Sequence, residues 1–200
     1  MKKILSQLFT AFSLMSAIAF MACNSNNTTN TKASDSTDMQ SMDTTPATDT
    51  ATHAMATLSG TKADTTLNGM AMFEKDGNEV KMHLELTVPS KANQSVAVHF
   101  HAMSDCGDMG KMAGGHWNPT NEQHGKWGTG SFHSGDIGNI TLDGTGKGTI
   151  DVKTNRWTLG GDTTTNIIGK TIIVHSGVDD YKSQPAGKSG ERIGCGVIKQ

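Results

Sequence analysis

The chain lacks an excess of charge. Against 19 aspartates and glutamates stand 17 lysines and arginines, a formal net charge of −2 over 200 residues. No basic patch stands out, which argues against a nucleic-acid partner, because phosphate binding needs clustered cations. Aromatic residues make up only 5% of the chain, and no segment of useful length carries a helical period, which argues against a helical bundle. Only three cysteines occur, Cys23, Cys106 and Cys195, and there is no HExxH, the usual mark of a zinc peptidase. Glycine is abundant, at 23 residues. That composition fits many short strands joined by tight turns, in one domain with appendages.

The first appendage is N-terminal. MKKILSQLFTAFSLMSAIAFMAC opens with two lysines, continues into an apolar stretch with small residues and ends at Cys23. This is the pattern of an export signal over 1–22. Ser6, Gln7, Thr10 and Ser13 interrupt the stretch and make it marginal as a permanent membrane span. Phe20-Met21-Ala22-Cys23 resembles a bacterial lipoprotein cleavage box, with Phe20 where leucine is usual. The expectation is lipidation of Cys23 and a lipid-anchored protein of the bacterial cell envelope; the plainer alternative is a secreted protein with a cysteine there. Residues 24–52 follow, of which 21 of 29 are Ser, Thr, Asn or Asp. Such a segment has almost nothing apolar to bury and is expected to be a flexible tether over 23–53. With Cys23 assigned to the lipid, export into an oxidising compartment pairs Cys106 with Cys195.

From residue 54 onward the pattern is β. In EVKMHLELTV (79–88), Val80, Met82, Leu84, Leu86 and Val88 face one way, and Lys81, His83, Glu85 and Thr87 the other, as in a half-buried antiparallel strand. Asp76-Gly77 marks a hairpin after a strand around Gly69–Phe73. Further strands are expected at 54–59, 95–101, 139–143, 147–152, 157–160, 167–174 and 194–198. The fold class is therefore all-β, a sandwich or barrel, with two long loops near 102–136 and 176–193. Loops of that length are usually functional.

Six histidines sit in or beside those loops: His99, His101, His116, His124, His133 and His175, with Asp136 three residues after His133. His99 and His101 alternate on one strand and so share a face. Any one of them alone is more readily a surface or core histidine. Imidazole with carboxylate suits zinc, and imidazole suits copper. His53, at the tether, and His83, on a solvent face, fall outside the series.

The spans HFH (99–101), GGHWNP (114–119), HG (124–125), FHSGDIGN (132–139), VHSGVDDY (174–181) and ERIGCGVI (191–198) resemble the copper/zinc superoxide dismutase family in order and spacing, across 54–200. The resemblance implies an eight-stranded antiparallel Greek-key barrel. It implies copper held by His99, His101, His116 and His175, and zinc by His116, His124, His133 and Asp136, with His116 shared. Asp179 corresponds to the carboxylate linking His99 to His124, and Arg192 to the arginine that guides superoxide to copper. Cys106–Cys195 corresponds to the family disulfide. The implied activity is dismutation of superoxide to dioxygen and hydrogen peroxide, with His116 both ligand and acid, protecting the envelope. A homodimer is compatible with the resemblance, but no surface marks it. The family's usual glycine-containing lead-in is here Val96-Ala97-Val98, Ala102 follows HFH, and GKSGER stands before Arg192; none of these departures removes a ligand. The competing readings are a copper-buffering lipoprotein without activity and a zinc hydrolase. Met103, Met109 and Met112, in the loop after HFH, read first as flexible packing and second as thioethers passing Cu(I) to the site.

Overall fold

A computed structural model describes residues 51–200. The expected signal segment, Cys23 and nearly all of the expected tether lie outside the described residues. Eight strands form one antiparallel sheet: β1 (His53–Gly60), β2 (Asn68–Asp76), β3 (Glu79–Thr87), β4 (Ser95–His101), β5 (Gly138–Thr141), β6 (Lys147–Thr154), β7 (Thr171–His175) and β8 (Arg192–Val197). Their spatial order is β5-β4-β7-β8-β1-β2-β3-β6. The chain thus crosses from β3 to β4 and again from β6 to β7, the Greek-key pattern. The two ends of the sheet meet without a ladder. A Cβ added to Gly148 of β6 would lie 2.6 Å from the Thr141 carbonyl and 2.7 Å from Ile140 of β5. The result is a nearly closed barrel. Helix is confined, among the described residues, to two 3₁₀ turns, Pro89–Lys91 and Lys111–Ala113.

Alternation explains the interior. Ala54, Ala56 and Leu58 of β1, Ala71 and Phe73 of β2, and Val80, Met82, Leu84 and Leu86 of β3 are buried, while their neighbours face water. Full burial of a leucine or phenylalanine contributes about 1.5–3 kcal/mol. His53 is the first residue of β1, opposite Glu74, and so belongs to the barrel rather than to a tether.

The other half of the barrel is buried on both faces. Val96, Val98 and Phe100 of β4 point into the core with Ile172 and Val174 of β7. The outward side chains Ala97, His99, His101, Thr171 and Ile173 are buried too, because the loops 102–137 and 176–191 fold over them. The first loop returns to the edge of its own strand: Trp117 N–H donates to the Phe100 carbonyl (2.7 Å), Ala102 N–H to Gly115 (3.0 Å) and Phe100 N–H to Gly135 (2.8 Å). The Cys106–Cys195 disulfide fastens that loop to β8. By loop length alone, closing 89 residues stabilises by about 4–5 kcal/mol in the chain-entropy picture.

Two expected strands change. The segment 157–160 is not a strand: Trp157 and Leu159 are buried, but Thr158 makes only an isolated bridge to Asn166. The alternation there reports burial and not a ladder. The 167–174 strand starts at Thr171, because Lys170 N–H turns back to the Ile167 carbonyl (3.0 Å) and Gly169 has φ of 80°.

Candidate metal centre

All seven donors read from the sequence converge. His99, His101, His116 and His175 form one group, and His116, His124, His133 and Asp136 a second, with the donor atoms of each group within 4.8 Å of one another. Their positioning differs. His99 and His101 stand on β4 and His175 ends β7. His116 is brought beside His101 by an antiparallel bridge between the two residues, and its ring centroid lies 4.0 Å from that of His99. His124, His133 and Asp136 all belong to the loop 102–137. The first group is largely set by strands, the second by a loop.

One nitrogen of each strand histidine is taken by the protein. His99 Nε2–H donates to Asp179 Oδ2 (2.9 Å), His101 Nδ1–H to the Gly114 carbonyl (2.8 Å) and His175 Nδ1–H to the Gly190 carbonyl (3.3 Å). Those bonds fix the tautomers and leave His99 Nδ1, His101 Nε2 and His175 Nε2, together with His116 Nε2, buried without a hydrogen-bond partner. His124 Nδ1 and His133 Nδ1 are orphaned in the same way; they lie 3.0 and 3.1 Å from Asp136 oxygens, without hydrogen-bond alignment. A buried unpaired polar atom costs about 1–3 kcal/mol. Six of them would cost on the order of 10 kcal/mol, as much as a whole domain's stability. Bound cations resolve this, and a four-imidazole set beside a three-imidazole, one-carboxylate set fits copper and zinc respectively. The residues fit the metals that the sequence implies.

The electrostatics favour the same occupants. Burial, reinforced by neighbouring histidines and Arg192, pulls His101 down to about 2. Burial likewise pulls His175 to about 3 and His116 to about 4, the latter against the hydrogen bond to Asp136. These rings are neutral and ready to ligate. For His124, burial works downward, but the Asp136 and Asp179 carboxylates outweigh it and raise the ring to about 9. Asp136 and Asp179 are themselves held below the ordinary carboxylate range: burial opposes this, and the surrounding histidines prevail.

Asp179 joins the groups. Its Oδ1 accepts from His124 Nε2–H (2.9 Å) and Tyr181 N–H (2.7 Å), and its Oδ2 from His99. Outer partners of this kind fix ligand orientation. Three residues that sequence reasoning missed support it. Asn139 of β5 exchanges two hydrogen bonds with the Asp179 backbone, at 2.8 and 3.0 Å. The Gln184 amide brackets the His124 backbone, accepting from its N–H (2.9 Å) and donating to its carbonyl (3.0 Å). Gly187 has φ of 65°, and a Cβ there would overlap Asp179 Oδ1 and lie 2.7 Å from His124 Nε2. The asparagine lay inside the span FHSGDIGN and the glycine inside a loop marked functional, but nothing in either signals a partner far along the chain.

Arg192 lies at the mouth. Its Nη1–H donates to the Gly110 carbonyl (2.6 Å) and its Nη2–H to the Gly114 carbonyl (2.6 Å). It lines a cleft of about 420 Å³ together with His101, His116, His175 and Gln184. Met103, Met109 and Met112 are half-exposed, at 58%, 43% and 54%, with Met103 beside Gly114 and Met112 beside Gly107.

A family model described as "Copper/zinc superoxide dismutase (SODC)" matches residues 67–198. A protein of Aquifex aeolicus named superoxide dismutase [Cu-Zn] 1 is 37% identical over 111 residues, 54% of this chain and 66% of its own. The chain thus spans just under two thirds of that relative's length. A Kluyveromyces lactis protein named superoxide dismutase [Cu-Zn] is 34% identical over 156 residues, 73% of this chain and 96% of its own. A crystal structure described as the clock protein EA4 superposes with a TM-score of 0.64 at 28% identity, covering 75% of this chain and 95% of that one.

Proposed function

Because this chain belongs to the copper/zinc superoxide dismutase family, we propose that it catalyses the dismutation of two superoxide anions and two protons to dioxygen and hydrogen peroxide. The observation that carries the reading is His116, a single imidazole common to both donor groups. Copper would be held by His99, His101, His116 and His175, and zinc by His116, His124, His133 and Asp136.

Copper so held supplies the one-electron couple that oxidises one superoxide and reduces the next, while zinc, without a redox step, supplies fixed charge. The chain's residues do the rest. Arg192 keeps a permanent cation at the cleft, oriented by its bonds to Gly110 and Gly114. Attraction of this kind raises association by about 10–10³-fold. His116 takes up a proton at Nε2, the atom facing the cleft-side donors, and gives it to the nascent peroxide. Asp179 and the two backbone carbonyls hold the other rings in the ligating tautomer.

Residues 1–22 would direct export, Cys23 would carry a lipid, and 24–52 would tether the domain to the bacterial cell envelope, where the enzyme would remove superoxide arising outside the cytoplasm. The Cys106–Cys195 disulfide supports export, since such bonds persist in oxidising compartments. The test is the superoxide decay rate of the protein loaded with one copper and one zinc. Near-diffusional decay, lost in His116→Ala and on copper removal, is expected. Tight copper binding without accelerated decay would sink the reading in favour of a copper buffer.

A further inference from the structure

Six of the seven exposed large hydrophobic side chains among the described residues are methionines. Three of them share one place far from the histidine centre in the sheet order. Met55 of β1 and Met72 of β2 are direct cross-strand partners. Met72 is in turn opposite His83 of β3, and His83 is opposite Asp151 of β6. The row Met55–Met72–His83–Asp151 therefore runs across four strands on the outer face of the barrel. Met70 is two residues before Met72 and faces the same way. The three methionines are 48%, 41% and 47% exposed for Met55, Met70 and Met72. Direct partners have Cβ atoms about 4.5–5.5 Å apart, well within the reach of two flexible thioether side chains.

Scattered single hydrophobics on a surface need no explanation, but a contiguous group does. An apolar face awaiting a partner would be expected to mix leucine, isoleucine, valine and aromatics. Here every apolar side chain of the patch is a thioether, and one end is closed by an imidazole. That imidazole is already set as a ligand would be. His83 Nδ1–H donates to Asp151 Oδ1 at 2.7 Å. This is the carboxylate–histidine arrangement that fixes a metal-binding tautomer and leaves Nε2 to ligate. Nε2 faces Glu85 Oε1 at a long 3.5 Å. A surface cleft of about 590 Å³ opens at one end of the row: Met72, His83 and Asp151 line it beside Lys81 and Lys153, while Met55 and Met70 stand outside it.

We propose that Met55, Met70, Met72 and His83 form a second metal site, on the outer face of β1–β3, that takes a soft monovalent cation of the Cu(I) class. Neutral thioethers select such ions and are poor ligands for magnesium, calcium or zinc. The Asp151 and Glu85 carboxylates beside the ring supply compensating negative charge. The site stands apart from the histidine centre, so it does not depend on the dismutase reading.

The test uses the full chain with its copper and zinc sites filled, labelled with ¹³C-methyl methionine, and titrated with Ag(I) as a redox-inert probe. The methyl signals of Met55, Met70 and Met72 and the His83 ring signals are expected to move together and saturate at one equivalent. The exposed loop methionines Met103, Met109 and Met112 should not follow them. Met55→Leu/Met72→Leu keeps side-chain volume on an exposed face, and an unchanged circular dichroism spectrum serves as its folding control. It is expected to weaken the saturable shift at least about tenfold, as is His83→Gln, by the scale on which ligand support acts. Shifts spread evenly over all six exposed methionines, an unchanged titration in the double variant, or no saturable shift would each overturn the site.

Discussion

Asp179→Asn tests whether one carboxylate holds both metal positions or mainly the loop-built one. Asp179 accepts from His99 through Oδ2 and from His124 through Oδ1. An asparagine has one acceptor oxygen, so one imidazole must face an NH₂ group instead. The two rings do not depend on the carboxylate equally. His99 is fixed by β4 on one side and by the His116 ring, 4.0 Å away, on the other. His124 stands on a loop, with only Gln184 and Asp136 to help. His124 is also the ring whose basicity the two carboxylates raise to about 9, so the loss of negative charge falls mainly on it. Removing an outer partner typically costs 10–100-fold in metal affinity, about 1.4–2.7 kcal/mol. The expected outcome is a loss of that size for zinc and a several-fold smaller one for copper. Chelator competition with each metal separately, on protein with an unchanged circular dichroism spectrum, reads both. Equal losses, or a loss confined to copper, would refute the argument that strands hold the copper donors and the carboxylate holds the zinc loop.

Gly187→Ala should reproduce the same zinc defect without replacing a ligand, because its Cβ would intrude on Asp179 and His124. The double variant with Asp179→Asn should show no further loss in chelator competition, since the two act on one contact. Arg192→Gln is expected to lower the second-order rate of superoxide decay about tenfold and flatten its dependence on ionic strength, whereas Arg192→Lys keeps much of the rate. A lysine variant as slow as the glutamine one would show that the guanidinium fork on Gly110 and Gly114, and not charge, matters. For the metal-free protein, His101, His175 and His116 have folded values of about 2, 3 and 4, below the ordinary 6.5. The unfolded chain then binds protons that the folded chain refuses, so stability is highest above 6.5 and falls as pH drops toward those values. At pH 5 each ring costs about 2 kcal/mol before coupling reduces the sum. His124, with its raised value of about 9, opposes this by about 0.8 kcal/mol between pH 7 and pH 5. Urea unfolding of stripped protein at pH 7 and pH 5 should differ by several kcal/mol, and identical midpoints and slopes would contradict the assignment.

How much of this was legible in the sequence differs by element. The β3 strand could be read side chain by side chain, because its outer face meets water and its alternation is clean. The convergence of the candidate donors could be read because imidazole is rare enough for a series to stand out, and because the spans around them carry a family resemblance. Trp157–Gly160 misled because alternation measures burial, and Trp157 reaches the core without a neighbouring ladder; its indole N–H instead donates to the Ser134 carbonyl (2.9 Å). Gln184, Gly187 and Asn139 were missed for a different reason. Each acts through contacts 40 to 60 residues away or through a missing Cβ, and neither has a local pattern.

The division of the barrel into two halves explains why those hidden residues are needed. On β1–β3 and β6 one face is core and the other is solvent, so the outer side chains are free of structural duty. On β4, β7 and β8 the outer face is roofed by two loops with little regular structure. A roof of that kind has few backbone ladders to order it and many polar groups to satisfy. Four devices order it here: the disulfide from Cys106 to β8, the Arg192 bonds to Gly110 and Gly114, the Asn139–Asp179 exchange, and the Gln184 clamp on His124. Each spans from a strand to a loop or from one loop to the other. The donors proposed for copper inherit rigidity largely from strands, whereas those proposed for zinc acquire it only through these ties. Zinc in such a site is therefore as much a member of the loop's structure as a cofactor, and the ties around Asp179 govern it more than they govern copper.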